Sequence, residues 1–374
     1  MAKKYYIIAG EASGDLHGSN LMKEMYKIEP DLNIRFWGGD KMTAAGGTIV
    51  KHIKDLAFMG FVEVLMNLRT ILKNIDFCKK DIEAFQPDAI IMIDYPGFNL
   101  RIAEWAKEKG IKVIYYISPQ IWAWKQKRVF KIKKCVDEMF VILPFEKDFY
   151  KKFDYEVNYE GNPLLDAIEQ YHETKLDSVQ FREKYNLDER PIIALLPGSR
   201  TQEISKLLPI MVEAIEPYSE HYQILIAGAP NMEISYYQSF FKNYRPTILS
   251  GVTYDIISNA EAAIVTSGTA TLETALLKTP EVVCYVGSKI SIEIAKRLIK
   301  INFISLVNLI MDRLVVTELI QQDCNPTRIR KELSLIIEGG NNREQMLADY
   351  ETLQAKLGGG GVSQRIAQLL LKSK

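Results

Sequence analysis

Residues 5–18, YYIIAGEASGDLHG, run from a continuously apolar stretch into a glycine-rich turn, and a helical pattern follows from residue 19. An apolar strand that ends in glycine and leads into a helix is the opening unit of a parallel sheet. Glycines at 10, 14 and 18 suggest a cradle for phosphate. Yet Glu11 and Asp15 stand in the same turn, and carboxylates repel phosphate. They suit hydroxyl groups, whose protons they accept. With His17 beside them, they fit a polyhydroxylated acceptor lying close to the backbone. A plainer reading is that Gly10, Gly14 and Gly18 allow tight packing of helix on sheet, with Asp15 as a helix cap.

The same alternation continues outward. KYYIIAG, IRFWGG, AIIMID, KVIYYIS and EMFVILP read as buried parallel strands, with helical patterns at 19–28, 62–85 and 99–109. After a break at Gly161-Asn162-Pro163 a second series begins: PIIALLPG, YQILIAG, TILSG, AAIVTSG and EVVCYVG. The expected fold is α/β, with two doubly wound, Rossmann-like domains facing each other across a cleft and joined near residues 161–170. A length of 374 residues is ample for two domains.

Composition excludes several classes. Lys+Arg and Asp+Glu balance at 47 each, so no bulk charge argues for nucleic acid. The four cysteines form no CxxC pair, which fits a reducing compartment and argues against structural zinc. The strand starting at Lys4 leaves no room for a signal peptide, and no apolar run approaches the roughly 20 residues of a membrane-spanning helix. A cytoplasmic protein is expected.

The second series carries the anion sites. Pro197-Gly198-Ser199-Arg200 links a strand to a helix and places a guanidinium for bidentate pairing with phosphate. Ser267-Gly268-Thr269 opens another helix, whose free N–H groups and dipole suit a diphosphate. Ser267 or Thr269 could instead simply cap that helix. Glu273, one turn on, could accept from ribose hydroxyls or be a solvated helix residue. With no GxxxxGK[ST] and no D-x-D, neither P-loop hydrolysis nor a carboxylate-held metal is indicated, and no cofactor is expected.

In the first series, Asp94 ends the strand AIIMID. An acid there is a functional candidate, or else a cap for the helix beginning near Phe98. Residues 56–75 carry a broad apolar arc around Glu63, Asn67, Thr70 and Asn74, which suits either a core-facing helix or a lipid contact. WAWKQKRVFKIKK, with two tryptophans in a basic run, suits a headgroup interface or a solvated basic helix.

GEASGDLHG, FMGFVEVL, IDYPGFN, ISPQIWAWKQKRVFKI, LPFEKDFY, LLPGSR, SGTATLE and SLVNLI together resemble, in order, the motifs of lipid-A-disaccharide synthases. The resemblance implies a GT-B glycosyltransferase. It would transfer 2,3-diacylglucosamine from UDP-2,3-diacylglucosamine to 2,3-diacylglucosamine 1-phosphate (lipid X), releasing UDP. It implies work at the inner membrane surface, with a second copy of the chain kept open as a partner. Asp94 matches the family's essential aspartate, and Arg200 and Asn308 match donor-side residues. Glu11, Ser13 and Asp15 fall in the signature loop. The catalytic candidates are therefore Asp94, Glu11 and His17. The acceptor candidates are Gly10, Ser13, Gly14 and Asp15, and the donor candidates Arg200, Ser267, Gly268, Thr269, Glu273 and Asn308. Gly97 departs from relatives that carry a second acid there. The domains implied are 1–165 for acceptor and membrane, 166–345 for donor, and 346–374 as a C-terminal helical segment. A UDP-sugar epimerase of the same architecture and a non-catalytic sugar-nucleotide-binding protein are the alternatives.

Overall fold

The computed structural model describes residues 2–56, 68–123, 126–230, 232–287 and 302–372. They form two compact units, one of residues 1–167 and 357–374, the other of residues 168–356.

The first unit holds a parallel sheet of β1 (Lys4–Ala9), β2 (Asn33–Gly38), β3 (Thr48–His52), β4 (Ala89–Ile93), β5 (Lys112–Tyr116), β6 (Glu138–Val141) and β7 (Asn158–Tyr159). Its order is β3-β2-β1-β4-β5-β6-β7. β4 is buried along its whole length and β1 from Tyr5 onward, because helices cover both faces of the sheet. The expected strands are all present. β3 and β7 are additions at the two edges, partly exposed or only two residues long, so neither leaves a continuous apolar run.

The helix Ala12–Ile28 starts inside the glycine turn rather than at residue 19, with Glu11 as its extended N-cap residue. The helix Pro96–Glu108 starts at Pro96, whose fixed φ suits a first helical position. Of the apolar stretch 56–75, residues 57–67 lie outside the described residues, as do Trp124 and Lys125 of the basic run; the helix Leu68–Phe85 is described.

The second unit holds β8 (Ile192–Leu196), β9 (Gln223–Gly228), β10 (Thr247–Ser250), β11 (Ala260–Thr266), β12 (Glu281–Tyr285) and β13 (Thr317–Ile320), in the order β10-β9-β8-β11-β12-β13. All pairings are again parallel. β13, partly exposed at the edge, is the strand absent from the sequence reading. The expected C-terminal segment 346–374 comprises most of the helix Arg343–Leu357, which falls in the second unit up to Lys356, and the helix Val362–Lys372, which falls in the first. There Ile366, Ala367 and Leu370 join the core formed by Ile7, Leu21, Met25 and Phe36. Asp166 fixes the start of that last helix by accepting from the N–H groups of Val362 (2.9 Å) and Ser363 (2.7 Å).

Candidate active site

In the first unit the strand order reverses between β1 and β4, which pair with Ala9 opposite Ile93. Ligands of open α/β sheets bind beyond the carboxyl ends of the strands at such a reversal. Gly10 and Asp94 are the next residues of the two strands. Asp94 and Tyr95 are both left-handed, with φ of 45° and 49°, and Ile117, just past β5, has φ of 66°. For side chains with a Cβ this is costly, most of all for the branched isoleucine, and such strain collects at functional sites. The turn is held by its neighbours. The Asp94 carbonyl accepts from Asn99 Nδ2 (2.8 Å) and from the Tyr115 hydroxyl (2.6 Å). The half-buried Asp94 carboxylate and Glu11 each border a phenol. Burial, and after it the charge of Asp94, holds the Tyr115 pKa well above its ordinary value; burial, and after it Glu11, raises that of Tyr95.

The three glycines serve close approach. A β-carbon at Gly10 would stand 2.4 Å from Tyr95 Cγ, at Gly14 3.2 Å from the Ala9 Cβ, and at Gly18 2.8 Å from the Met42 sulfur. Asp15 does cap a helix, but not its own. Its carboxylate is 5 % exposed and accepts from the N–H groups of Gly39 (2.7 Å), Lys41 (3.1 Å) and Met42 (3.0 Å) at the start of the helix Asp40–Ala45. His17, expected among the catalytic groups, is 4 % exposed, and burial lowers its pKa to about 4. A neutral imidazole enclosed in this way supports packing rather than proton transfer at an open site. Ser13 is exposed on the first turn of the helix Ala12–Ile28.

In the second unit the reversal lies between β8 and β11, with Leu196 opposite Val265. The two loops singled out as anion sites therefore emerge side by side. Arg200 is the N-cap residue of the helix Thr201–Ile215 and pairs with Glu203 at 3.2 Å. Among the described residues no side chain caps the helix Thr269–Leu276 behind Gly268. The Ser267 hydroxyl donates instead to the Ile304 carbonyl at 3.0 Å. The simple capping role weighed for Ser267 and Thr269 is therefore not what they do. Gly268 and Thr269 are exposed, and a β-carbon at Gly268 would meet nothing within 4 Å. Glu273 accepts from the Tyr254 hydroxyl at 2.7 Å, and burial raises its pKa.

Asn308, expected to contact the donor, is enclosed. It is 0 % exposed, donates to the Val316 carbonyl and to Glu318 Oε1 (2.9 Å each), and accepts from the N–H groups of Val315 (2.7 Å) and Val316 (3.0 Å). Glu318 in turn accepts from the N–H groups of Ile304 and Ser305 at 2.9 Å. Asn308 is thus linked to the loop at Ser267 through a chain: Asn308 to Glu318, Glu318 to Ile304, and Ile304 to Ser267.

Among the described residues no group of three or more His, Cys, Asp or Glu could hold a metal ion, and no helix is long and apolar enough to cross a membrane. The family model for lipid-A-disaccharide synthetase matches residues 5–371. The chain belongs to the lipid-A-disaccharide synthase family. The synthase of Syntrophus aciditrophicus is 39 % identical over 99 % of this chain and 97 % of its own, and that of Coxiella burnetii 37 % identical over 98 % of each. Among solved structures, UDP-GlcNAc 2-epimerase from Neisseria meningitidis, bound to UDP-GlcNAc, aligns over the full length of both chains with a TM-score of 0.66 at 14 % identity. That likeness shows the fold alone, the two-sheet GT-B architecture. Family membership makes the chain a glycosyltransferase of lipid A biosynthesis acting on UDP-sugar and lipid substrates, and does not favour the epimerase alternative.

Resemblance to lipid-A-disaccharide synthases singled out Asp94 and Arg200 but not the groups that hold them. Tyr95 and Asn99 lie inside the quoted motif IDYPGFN, and Glu203 stands three residues after Arg200, a spacing that signals a reach back to a helix start. Glu146, in LPFEKDFY, is 1 % exposed and accepts from the N–H groups of Ile142 (3.1 Å) and Leu143 (2.9 Å) just past β6. Burial pushes its pKa up to about 7. Nothing in its sequence position signals that burial.

Proposed function

We propose that this synthase transfers 2,3-diacylglucosamine from its UDP derivative to the 6-hydroxyl of 2,3-diacylglucosamine 1-phosphate in one inverting displacement. The observation that carries this reading is the pairing of functions with strand reversals: a strained acid at β1/β4, and an arginine with an uncapped helix start at β8/β11. The acceptor hydroxyl attacks the anomeric carbon, the bond from that carbon to the diphosphate oxygen breaks, and the hydroxyl proton passes to the Asp94 carboxylate. Base assistance of this kind contributes typically about 10²–10⁴-fold. Charge developing on the departing UDP is met by Arg200 and by the N–H groups at Gly268 and Thr269, where the helix dipole favours an anion. The oxocarbenium character of the transition state follows by analogy with glycoside hydrolysis.

Glu11 and Ser13 border the acceptor hydroxyls in this scheme, while Gly10, Gly14, Asp15 and His17 shape the loop that carries them. Glu273 is offered to the ribose. Unit 1 takes the acceptor and unit 2 the donor.

We further propose that the protein works in the cytoplasm, peripherally on the inner membrane. Phe130, 62 % exposed on the helix Arg128–Cys135 among Lys127, Lys133 and Lys134, supports this: an aromatic ring in a basic field suits an anionic headgroup layer. The test of the reaction is incubation with UDP-2,3-diacylglucosamine with and without the acyl acceptor. Acceptor-dependent release of UDP is expected. A new UDP-sugar formed without acceptor would indicate epimerisation instead, and absence of turnover a binding protein.

A further inference from the structure

Glu203 lies one turn inside the helix Thr201–Ile215, and its side chain folds back onto the loop that precedes it. Oε2 accepts from the Ser199 N–H at 3.2 Å, and Oε1 accepts from Arg200 Nη1 at 3.2 Å. The carboxylate lies against Gly198, whose φ is 106°; a β-carbon there would stand 2.4 Å from Oε2. The left-handed turn itself requires glycine, and the carboxylate occupies the space that the missing β-carbon leaves.

In the usual capping box, a glutamate at this position bonds the N–H of the cap residue. Here it takes the N–H one residue earlier, together with the side chain of the cap residue, Arg200. One carboxylate therefore fixes the peptide and the cation of the same loop. The Arg200 and Glu203 side chains are 51 % and 29 % exposed. An ion pair so open to solvent adds little stability, so its main physical effect is to restrict the rotamers of a long side chain.

We propose that Glu203 is a positioning residue for the donor diphosphate, pre-ordering Arg200 and the Ser199 peptide so that phosphate meets a formed loop. The inference rests on the donor-site reading above. A carboxylate at an anion site could also act in the opposite sense, as a competitor that phosphate must displace, and the two roles differ in sign.

Calorimetric titration of the full chain with UDP separates them, using Arg200→Ala, Glu203→Ala, Glu203→Gln and the Arg200→Ala/Glu203→Ala double variant. Positioning predicts that Glu203→Ala weakens UDP binding about tenfold, within the range of coupling between contacting residues. Glu203→Gln, which keeps one acceptor oxygen for one of the two donors and puts an amide NH2 in place of the other, should lose less. The double variant should lose clearly less than the product of the two single losses, since the guanidinium to be positioned is already gone and only the Ser199 peptide is left to loosen. Melting midpoints should stay level across the set. Tighter or unchanged binding in Glu203→Ala overturns the proposal, as does a double variant whose losses simply multiply. If Arg200→Ala itself leaves UDP binding unchanged, the donor-site reading fails and this inference with it, a result distinct from a failure of Glu203 alone.

Discussion

The ring of Tyr95 lies directly over Gly10, so that a β-carbon on the glycine would meet three ring atoms between 2.4 and 2.7 Å away. This contact joins the loop after β1 to the loop after β4 and helps hold the left-handed pair Asp94-Tyr95 in place. Gly10→Ala should destabilise the protein by about 1–3 kcal/mol, the usual size of an overpacking penalty. Adding Tyr95→Ala should return part of that loss in urea denaturation. Strictly additive effects in the double variant would mean that the two residues do not act on each other.

Asp94→Asn keeps the shape of the side chain and removes its basicity. Turnover should fall at least a hundredfold, the lower end of general-base assistance, while UDP affinity and the melting temperature stay near normal. A variant that keeps more than about a tenth of the activity would assign the proton to another group.

Glu146 supplies a pH signature. Burial raises its folded pKa to about 7 from an ordinary value of 4.5. A raised carboxyl pKa favours the protonated form in the fold, so its contribution to stability is fully present below about pH 4.5 and is lost as pH rises through about 7. Glu146→Gln should therefore gain on the parent protein between pH 5 and 8, by on the order of 2–4 kcal/mol at about 1.4 kcal/mol per pKa unit. Denaturant curves at the two pH values measure it; a difference that does not change with pH would rule the titration out.

Asn308→Ala should strand the Val316 carbonyl and the N–H groups of Val315 and Val316 in a buried place, each such group costing about 1–3 kcal/mol. Stability should fall first, with UDP affinity following as the 304–305 segment loosens its hold on Ser267. A large loss of UDP affinity at unchanged stability would instead make Asn308 a direct contact.

Phe130→Ser removes an exposed ring, so the melting temperature and UDP affinity should hold. Binding to vesicles containing anionic lipid should weaken, since a fully buried side chain of this size contributes about 1.5–3 kcal/mol. Flotation of the two proteins with such vesicles decides it, and equal flotation would remove this helix from the membrane contact.

The sequence by itself determined the two parallel sheets. Strands such as AIIMI (89–93) and IIALL (192–196) are apolar at every position because both faces are covered, and that property is local to the chain. The edge strands β3, β7 and β13 escaped that reading, since an exposed or two-residue edge carries no such signal. The positions of Asp94, Arg200 and Ser267 at strand ends were legible for the same local reason. What each polar group does there was not. Asp15 caps a helix that begins 25 residues further along, Asn308 is engaged by the backbone around Val316 and by Glu318, and Tyr95 fills the space that Gly10 leaves. A hydrogen bond or ring contact is made with whichever group the folded chain brings within about 3–4 Å, and that pairing spans sequence separations over which no pattern of residue types carries information. The tertiary structure alone decided which acids are enclosed as supports, as Asp15 is, and which stay partly exposed at the strand ends, as Glu11 and Asp94 do.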